Sequence, residues 1–150
     1  MKRIFIFVWL QALLNPAVAQ NQTNKHMKLN AGIITRKLAE TKAFYTRNLG
    51  FGVTFENEFY LLMHTPGQEA EISFLLPHHP SQQPLFQTPF NGQGVYLTLE
   101  VAEVDRVYEE MKKKGVAISV DLRDEPWGDR HFAIVDPNGI GIDIVTYSPR

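Results

Sequence analysis

From residue 28 onward, short apolar runs give way to a stretch of helical spacing, return, and then do the same again. Residues 31–35 read as a short buried strand. Across 36–48 and its exit, Leu38, Thr41, Phe44, Tyr45 and Leu49 recur at helical spacing and predict a helix that Gly50 stops. Segments 51–55, 59–64 and 71–76 follow as strands, with Thr65-Pro66-Gly67 turning the chain between the last two. Residues 77–94 are rich in Pro, Gln and His, lack periodicity, and read as a linker with a mobile tip. The pattern then repeats. Residues 95–101 alternate as a strand, and Val104, Val107, Tyr108 and Met111 form one stripe of a helix. That helix ends in Lys112, Lys113, Lys114 and Gly115, cations suited to the negative end of the helix dipole and a residue free to turn. Segments 117–122, 130–135 and 140–147 complete the second passage. Asp136-Pro137-Asn138-Gly139 joins the last two, with Pro fixing one φ and Asn-Gly accepting a positive one.

The two passages match each other. Residues 45–50 fall on 108–115, and Ile72-Ser73-Phe74 on Ile142-Asp143-Ile144, each a few residues after a Pro-Gly or Pro-Asn-Gly turn. A duplicated βαβββ module is the economical reading: an α+β fold with module one at 28–76, the linker at 77–94 and module two at 95–147. Each sheet then has one face under its helix and one free to curve around a cavity, the kind of surface on which small ligands are held.

Composition narrows the classes of function. The 150 residues, 44% of them hydrophobic, suffice for one sizeable core. The formal charge is −1 and the basic residues are scattered apart from Lys112 to Lys114, so there is no electrostatic footprint for nucleic acid. With no cysteine, disulfides, thiolate metal sites and a cysteine nucleophile are excluded. At the start, Lys2 and Arg3 precede an apolar run over 4–14, then Pro16 and Ala17-Val18-Ala19, the three parts of an export signal in order. We expect a signal peptide at 1–19 cut after Ala19, a linker at 20–27, and no membrane association after cleavage. Removing Lys2 and Arg3 leaves −3 in place of −1. The run is broken at Gln11 and is shorter than the roughly 20 residues that cross a bilayer. The alternative is a start at Met27, directly before the first strand, giving a cytoplasmic protein.

Two further stretches carry a resemblance. Ala43-Phe44-Tyr45 with Asn48-Leu49-Gly50-Phe51 resembles the first helix and its exit in glyoxalase and bleomycin-resistance proteins, the vicinal-oxygen-chelate superfamily. Pro126-Trp127-Gly128-Asp129-Arg130-His131-Phe132, followed by Asp136-Pro137-Asn138-Gly139-Ile140-Gly141-Ile142-Asp143, resembles the C-terminal signature of the same superfamily. The similarity spans about residues 28–147. It implies two βαβββ modules forming a curved mixed sheet around a cavity, and commonly a homodimer whose paired modules complete the cavities. Metal-dependent members hold a divalent ion through four strand residues, two from each half. By resemblance those positions fall here on Asn30, Ser73, Tyr96 and Asp143.

Of these four, only Asp143 is an ionised oxygen ligand. Asn30 and Ser73 offer neutral oxygens, and a phenol must lose a proton before it binds metal well. A Lewis-acid site needs more than one strong ligand, so we expect neither metal nor cofactor. His78 and His79 sit in a Pro-flanked loop and read as solvated; His64 lies at a hairpin end. His131 alternates with Phe132, and either lines the free face or is exposed. What remains is the chemistry of a binding cavity. Tyr96 has an apolar body and a polar tip, Trp127 offers a flat π-face or plugs the sheet end, and Arg130 could anchor a carboxylate or phosphate. Asp143, between Ile142 and Ile144, either meets a cationic ligand or pairs with Asn30 or Tyr96. The expected function is metal-independent binding of a small organic molecule; the alternative is a metal-dependent lyase, isomerase or dioxygenase with an altered ligand set.

Overall fold

A computed structural model of the chain describes residues 27–148, so the expected signal at 1–19 lies outside the described residues. The first module contains β1 (Ala31–Ile34), α1 (Leu38–Leu49), β2 (Gly52–Glu56), β3 (Tyr60–His64) and β4 (Glu71–Leu75). The second contains β5 (Tyr96–Glu100), α2 (Val104–Lys113), β6 (Ile118–Asp124), β7 (Arg130–Val135) and β8 (Gly141–Thr146). Each module builds its own four-stranded mixed sheet, ordered β1-β4-β3-β2 and β5-β8-β7-β6. The β1/β4 and β5/β8 pairs are parallel and the others antiparallel. The register carries the internal repeat. Gly32, Ser73 and Leu62 lie side by side in the first sheet as Thr98, Asp143 and Ala133 do in the second, so Ser73 and Asp143 are equivalent positions.

Helix ends are set by side chains the periodicity does not show. α1 starts two residues later than expected, because the Lys37 N–H is taken by Thr35 Oγ1 at 3.0 Å and Lys37 becomes the N-cap. Gly50, at φ +71°, supplies the left-handed exit. α2 has no cap of its own. Its Val104 N–H donates instead to Thr146 Oγ1 of β8 at 3.1 Å, while that hydroxyl donates to Val101 O at 2.7 Å.

The helix-covered faces of both sheets share one core. Tyr45, Phe51, Leu61, Met63 and Phe74 of module one join Met111, Phe132, Ile134, Ile140, Ile142 and Ile144 of module two. The Asp136-Pro137-Asn138-Gly139 turn, read from sequence only as a turn, is the clasp between the modules. Buried Asp136 accepts from the backbone N–H groups of Asn138 (2.8 Å) and Ile140 (2.9 Å), from Asn138 Nδ2 (2.9 Å) and from Tyr45 Oη of α1 (3.2 Å). Burial first, then the Asp136 charge and hydrogen bond, push the Tyr45 phenol well above its ordinary pKa and keep it a donor. Asn138 in turn accepts from Thr35 Oγ1 (2.6 Å) and donates to Thr41 Oγ1 (3.1 Å), and Lys37 Nζ reaches Pro137 O.

The linker departs from expectation as well, being built into the fold. Pro84–Phe86 is a 3-10 turn, Phe90 N–H donates to Ile34 O at 2.8 Å on the outer edge of β1, and His79 stacks on Phe59 with ring centroids 3.8 Å apart. Once the linker spans the sheet, its amides and rings find partners there.

Candidate functional site

Alternation along each strand decides which candidates share a face. In module one, Ile33, Leu61, Met63, Ile72 and Phe74 point under α1, so Gly32, Tyr60, Ser73 and Leu75 lie on the helix-free face. With Asn30, Ile34, Gln82 and Phe86 they line a cavity of about 500 Å³ roofed by the linker turn. Asn30 and Ser73 therefore do share a site, but neither Tyr96 nor Asp143 lines it. Ser73 Oγ, at 3.3 Å from Ala31 O, gives its proton to the backbone.

In module two, Phe132, Ile134, Ile142 and Ile144 point under α2. That leaves Tyr96, Thr98 and Glu100 of β5, Asp143 and Val145 of β8, and His131 and Ala133 of β7 on the helix-free face. Tyr96 is 72% exposed. Arg130, expected as an anchor for a carboxylate or phosphate, stands on the other side, next to α2. Its guanidinium donates to both Asp105 oxygens at 2.9 and 2.8 Å and to Asp124 at 3.0 Å, and these bonds hold its proton still more firmly than usual. This arginine pins β7 to α2. Trp127, 70% exposed at the tip of the β6–β7 hairpin, donates its indole N–H to Asp129 at 2.9 Å and plugs no sheet end.

Asp143 does pair, with a different partner from those expected. His131 Nδ1 lies 2.6 Å from Asp143 Oδ1, and its Nε2 lies 3.0 Å from Glu125 Oε1. Arg123 closes the chain by donating from Nε to the same Glu125 oxygen at 2.6 Å. Carboxylates only accept, so both ring nitrogens must carry protons for both bonds to form. Burial alone would lower the proton affinity of His131. The bonds and charges of Asp143 and Glu125 outweigh it, and the ring titrates above its ordinary value. The bond from Arg123 holds the Glu125 carboxyl below the usual glutamate range, against burial and with help from His131. The four groups form a charge-balanced relay, Arg123⁺–Glu125⁻–His131⁺–Asp143⁻.

Glu125 and Arg123 escaped the sequence reading, where Arg123-Asp124-Glu125 is an ordinary charged run before a proline. The signal available was the hairpin itself. Glu125 N–H bonds to Asp129 O at 2.8 Å and Arg123 pairs with His131, so closing the turn returns Glu125 beside His131. Glu125 and Asp143 lie at opposite ends of one imidazole and cannot converge on an ion. Among the described residues, no three His, Asp or Glu side chains are grouped to hold a metal. Of the four family metal positions, Asn30, Ser73 and Tyr96 offer an amide, a hydroxyl and a phenol, and Asp143 is engaged by a cation of the protein itself. These residues do not fit a resident divalent ion.

Solved structures with the same fold cover most of the chain. A bleomycin resistance determinant encoded on the transposon Tn5 superposes with a TM-score of 0.61 at 21% identity, over 82% of this chain and 99% of its own. The antibiotic binding protein TnmS3 from Streptomyces sp. CB03234 gives 0.63 at 21% identity, over 82% and 100%. A glyoxalase/bleomycin resistance protein/dioxygenase from Nocardioides gives 0.65 at 17% identity, over 89% and 93%. No curated protein sequence matches the chain. The family model of the Glyoxalase/Bleomycin resistance protein/Dioxygenase superfamily matches residues 25–144, so by sequence as well as by fold this chain belongs to that superfamily.

Proposed function

We propose that this protein binds a small organic molecule on the helix-free faces of its modules, without a metal ion and without chemistry performed by one. The observation that carries this reading is the relay at Asp143. The one ionised group among the four family metal positions is hydrogen-bonded and charge-compensated by His131, and the other three positions carry an amide, a hydroxyl and a phenol. The Tn5 determinant and TnmS3, whose names concern antibiotic resistance and binding, make sequestration of a drug-sized molecule a natural form of it. The test is a thermal-shift screen of small organic molecules, bleomycin included, run with excess chelator throughout. A ligand that raises the melting temperature equally with and without chelator supports the reading. Ligands that stabilise only when divalent metal is added would overturn it.

The reading extends to a homodimer. Within one chain the cavity on the helix-free face of module one is lined by no residue of module two, and Tyr96 and Leu29 stand exposed. Among the described residues, the outer edge of β5 has no strand partner and that of β1 bonds the linker at Phe90 N–H. A second copy can set its module two against module one of the first, pairing those edges and enclosing both faces at once. Sedimentation at micromolar concentration is expected to give twice the chain mass. A monomer persisting at high concentration contradicts the shared cavity.

A further inference from the structure

The relay on module two has one open end. Asp143 Oδ1 receives His131, whereas Oδ2 has no hydrogen-bond partner among the described residues, and the side chain keeps 29% of its surface exposed on the helix-free face. His131 cannot serve a ligand as a donor, because both its N–H groups already point at carboxylates. Arg123 gives Nε and Nη2 to Glu125 at the far end of the relay from Asp143. The other ionisable groups this face presents are Glu100, in the row of Val145 and His131, and the Tyr96 phenol; Asp124 and Arg130 lie on the opposite side. The cation beside Asp143 is therefore spent internally, and what this part of the face offers outward is a carboxylate oxygen with a second carboxylate nearby.

We infer that Asp143 Oδ2 is the acceptor that selects the ligand, and that the protein takes molecules presenting an N–H donor, an amine or amidine above all, and discriminates against carboxylates and other pure acceptors. His131, Glu125 and Arg123 act as positioning residues. They fix the Asp143 carboxylate by one oxygen and leave the other aimed at the face. This deepens the binding function proposed above and rests on it. A charge-assisted bond to a held carboxylate oxygen is stronger than a neutral one, and the restraint spares the ligand the cost of ordering that side chain.

The test uses three probes of one shape on the full chain, followed by NMR through the backbone amides of residues 96–100, 131–133 and 141–145. Benzamidine is a cationic donor, benzamide a neutral donor and acceptor, and benzoate an acceptor only. Benzamidine is expected to shift these resonances with about millimolar affinity, benzamide more weakly, and benzoate at least about tenfold more weakly than benzamidine. In Asp143→Asn the preference for benzamidine over benzoate should vanish. In Glu125→Gln, which loosens the hold on His131 and through it on Asp143, benzamidine should bind more weakly while the His131 side-chain nitrogen signals move toward those of the neutral ring. The wild-type comparison stands on its own if a variant fails to fold. Equal shifts from benzamidine and benzoate, or a preference that survives in Asp143→Asn, would overturn the assignment of Oδ2 and leave the binding function intact. No shift from any probe at tens of millimolar would count against this face as a ligand site altogether.

Discussion

Asp136→Ala is expected to cost the protein about 3 kcal/mol of stability or more, the largest loss of any polar substitution considered. Asp136 is 4% exposed and receives four hydrogen bonds. Truncation leaves the Ile140 N–H and the Tyr45 phenol, both fully enclosed, without an acceptor, and each buried unsatisfied donor costs about 1–3 kcal/mol. It also frees Asn138, which holds module two to Thr35 and Thr41. Tyr45→Phe removes only one of the four donors and should cost about 1 kcal/mol. Urea unfolding of the two variants checks the ranking. Should Asp136→Ala prove as mild as Tyr45→Phe, the turn is not the clasp between modules.

The second large effect belongs to His131 and depends on pH. In His131→Ala the carboxylates of Glu125 and Asp143 lose the cation between them, an expected cost of about 2 kcal/mol near pH 6. The sign follows from the direction of the shift. The folded protein binds the His131 proton more tightly than the unfolded chain does, so the ring's contribution is fully present below the unfolded value of about 6.5 and is lost as pH rises through the raised folded value. The gap between wild type and His131→Ala should therefore be widest in mild acid and narrow toward pH 9. Denaturation at the two pH values measures it. An equal gap at both would mean that His131 acts by packing alone.

Much of the fold was legible because its signals are local. Periodicity of 2 and of 3.6, Gly50 and Gly115 as stops, and the Asp-Pro-Asn-Gly turn all act within a few residues, and the doubled pattern gave both modules and the equivalence of Ser73 with Asp143. What was hidden depends on contacts far apart in sequence. That Asn138 grips Thr35 and Thr41 across about a hundred residues has no local trace. Arg130 illustrates a different limit. Its alternation with His131 already placed the two on opposite faces, so both could not serve one cavity, and the choice between them turned on Asp105 and Asp124. Asp143 was correctly suspected of needing a partner, since a lone carboxylate in a strand of isoleucines would be costly. The partner lay on the neighbouring strand, where Ala133 faces Asp143 directly and His131 reaches across from one pair away.

Asp143 belongs either to a metal site or to the relay with His131. Elemental analysis of protein purified without chelator, paired with direct titration of zinc, nickel and manganese into wild type and Asp143→Ala, decides it. Metal far below one equivalent per chain is expected, with no difference in uptake between the two proteins. Near-equimolar metal, lost on Asp143→Ala, would contradict it and return the chain to the metal-dependent members of its superfamily.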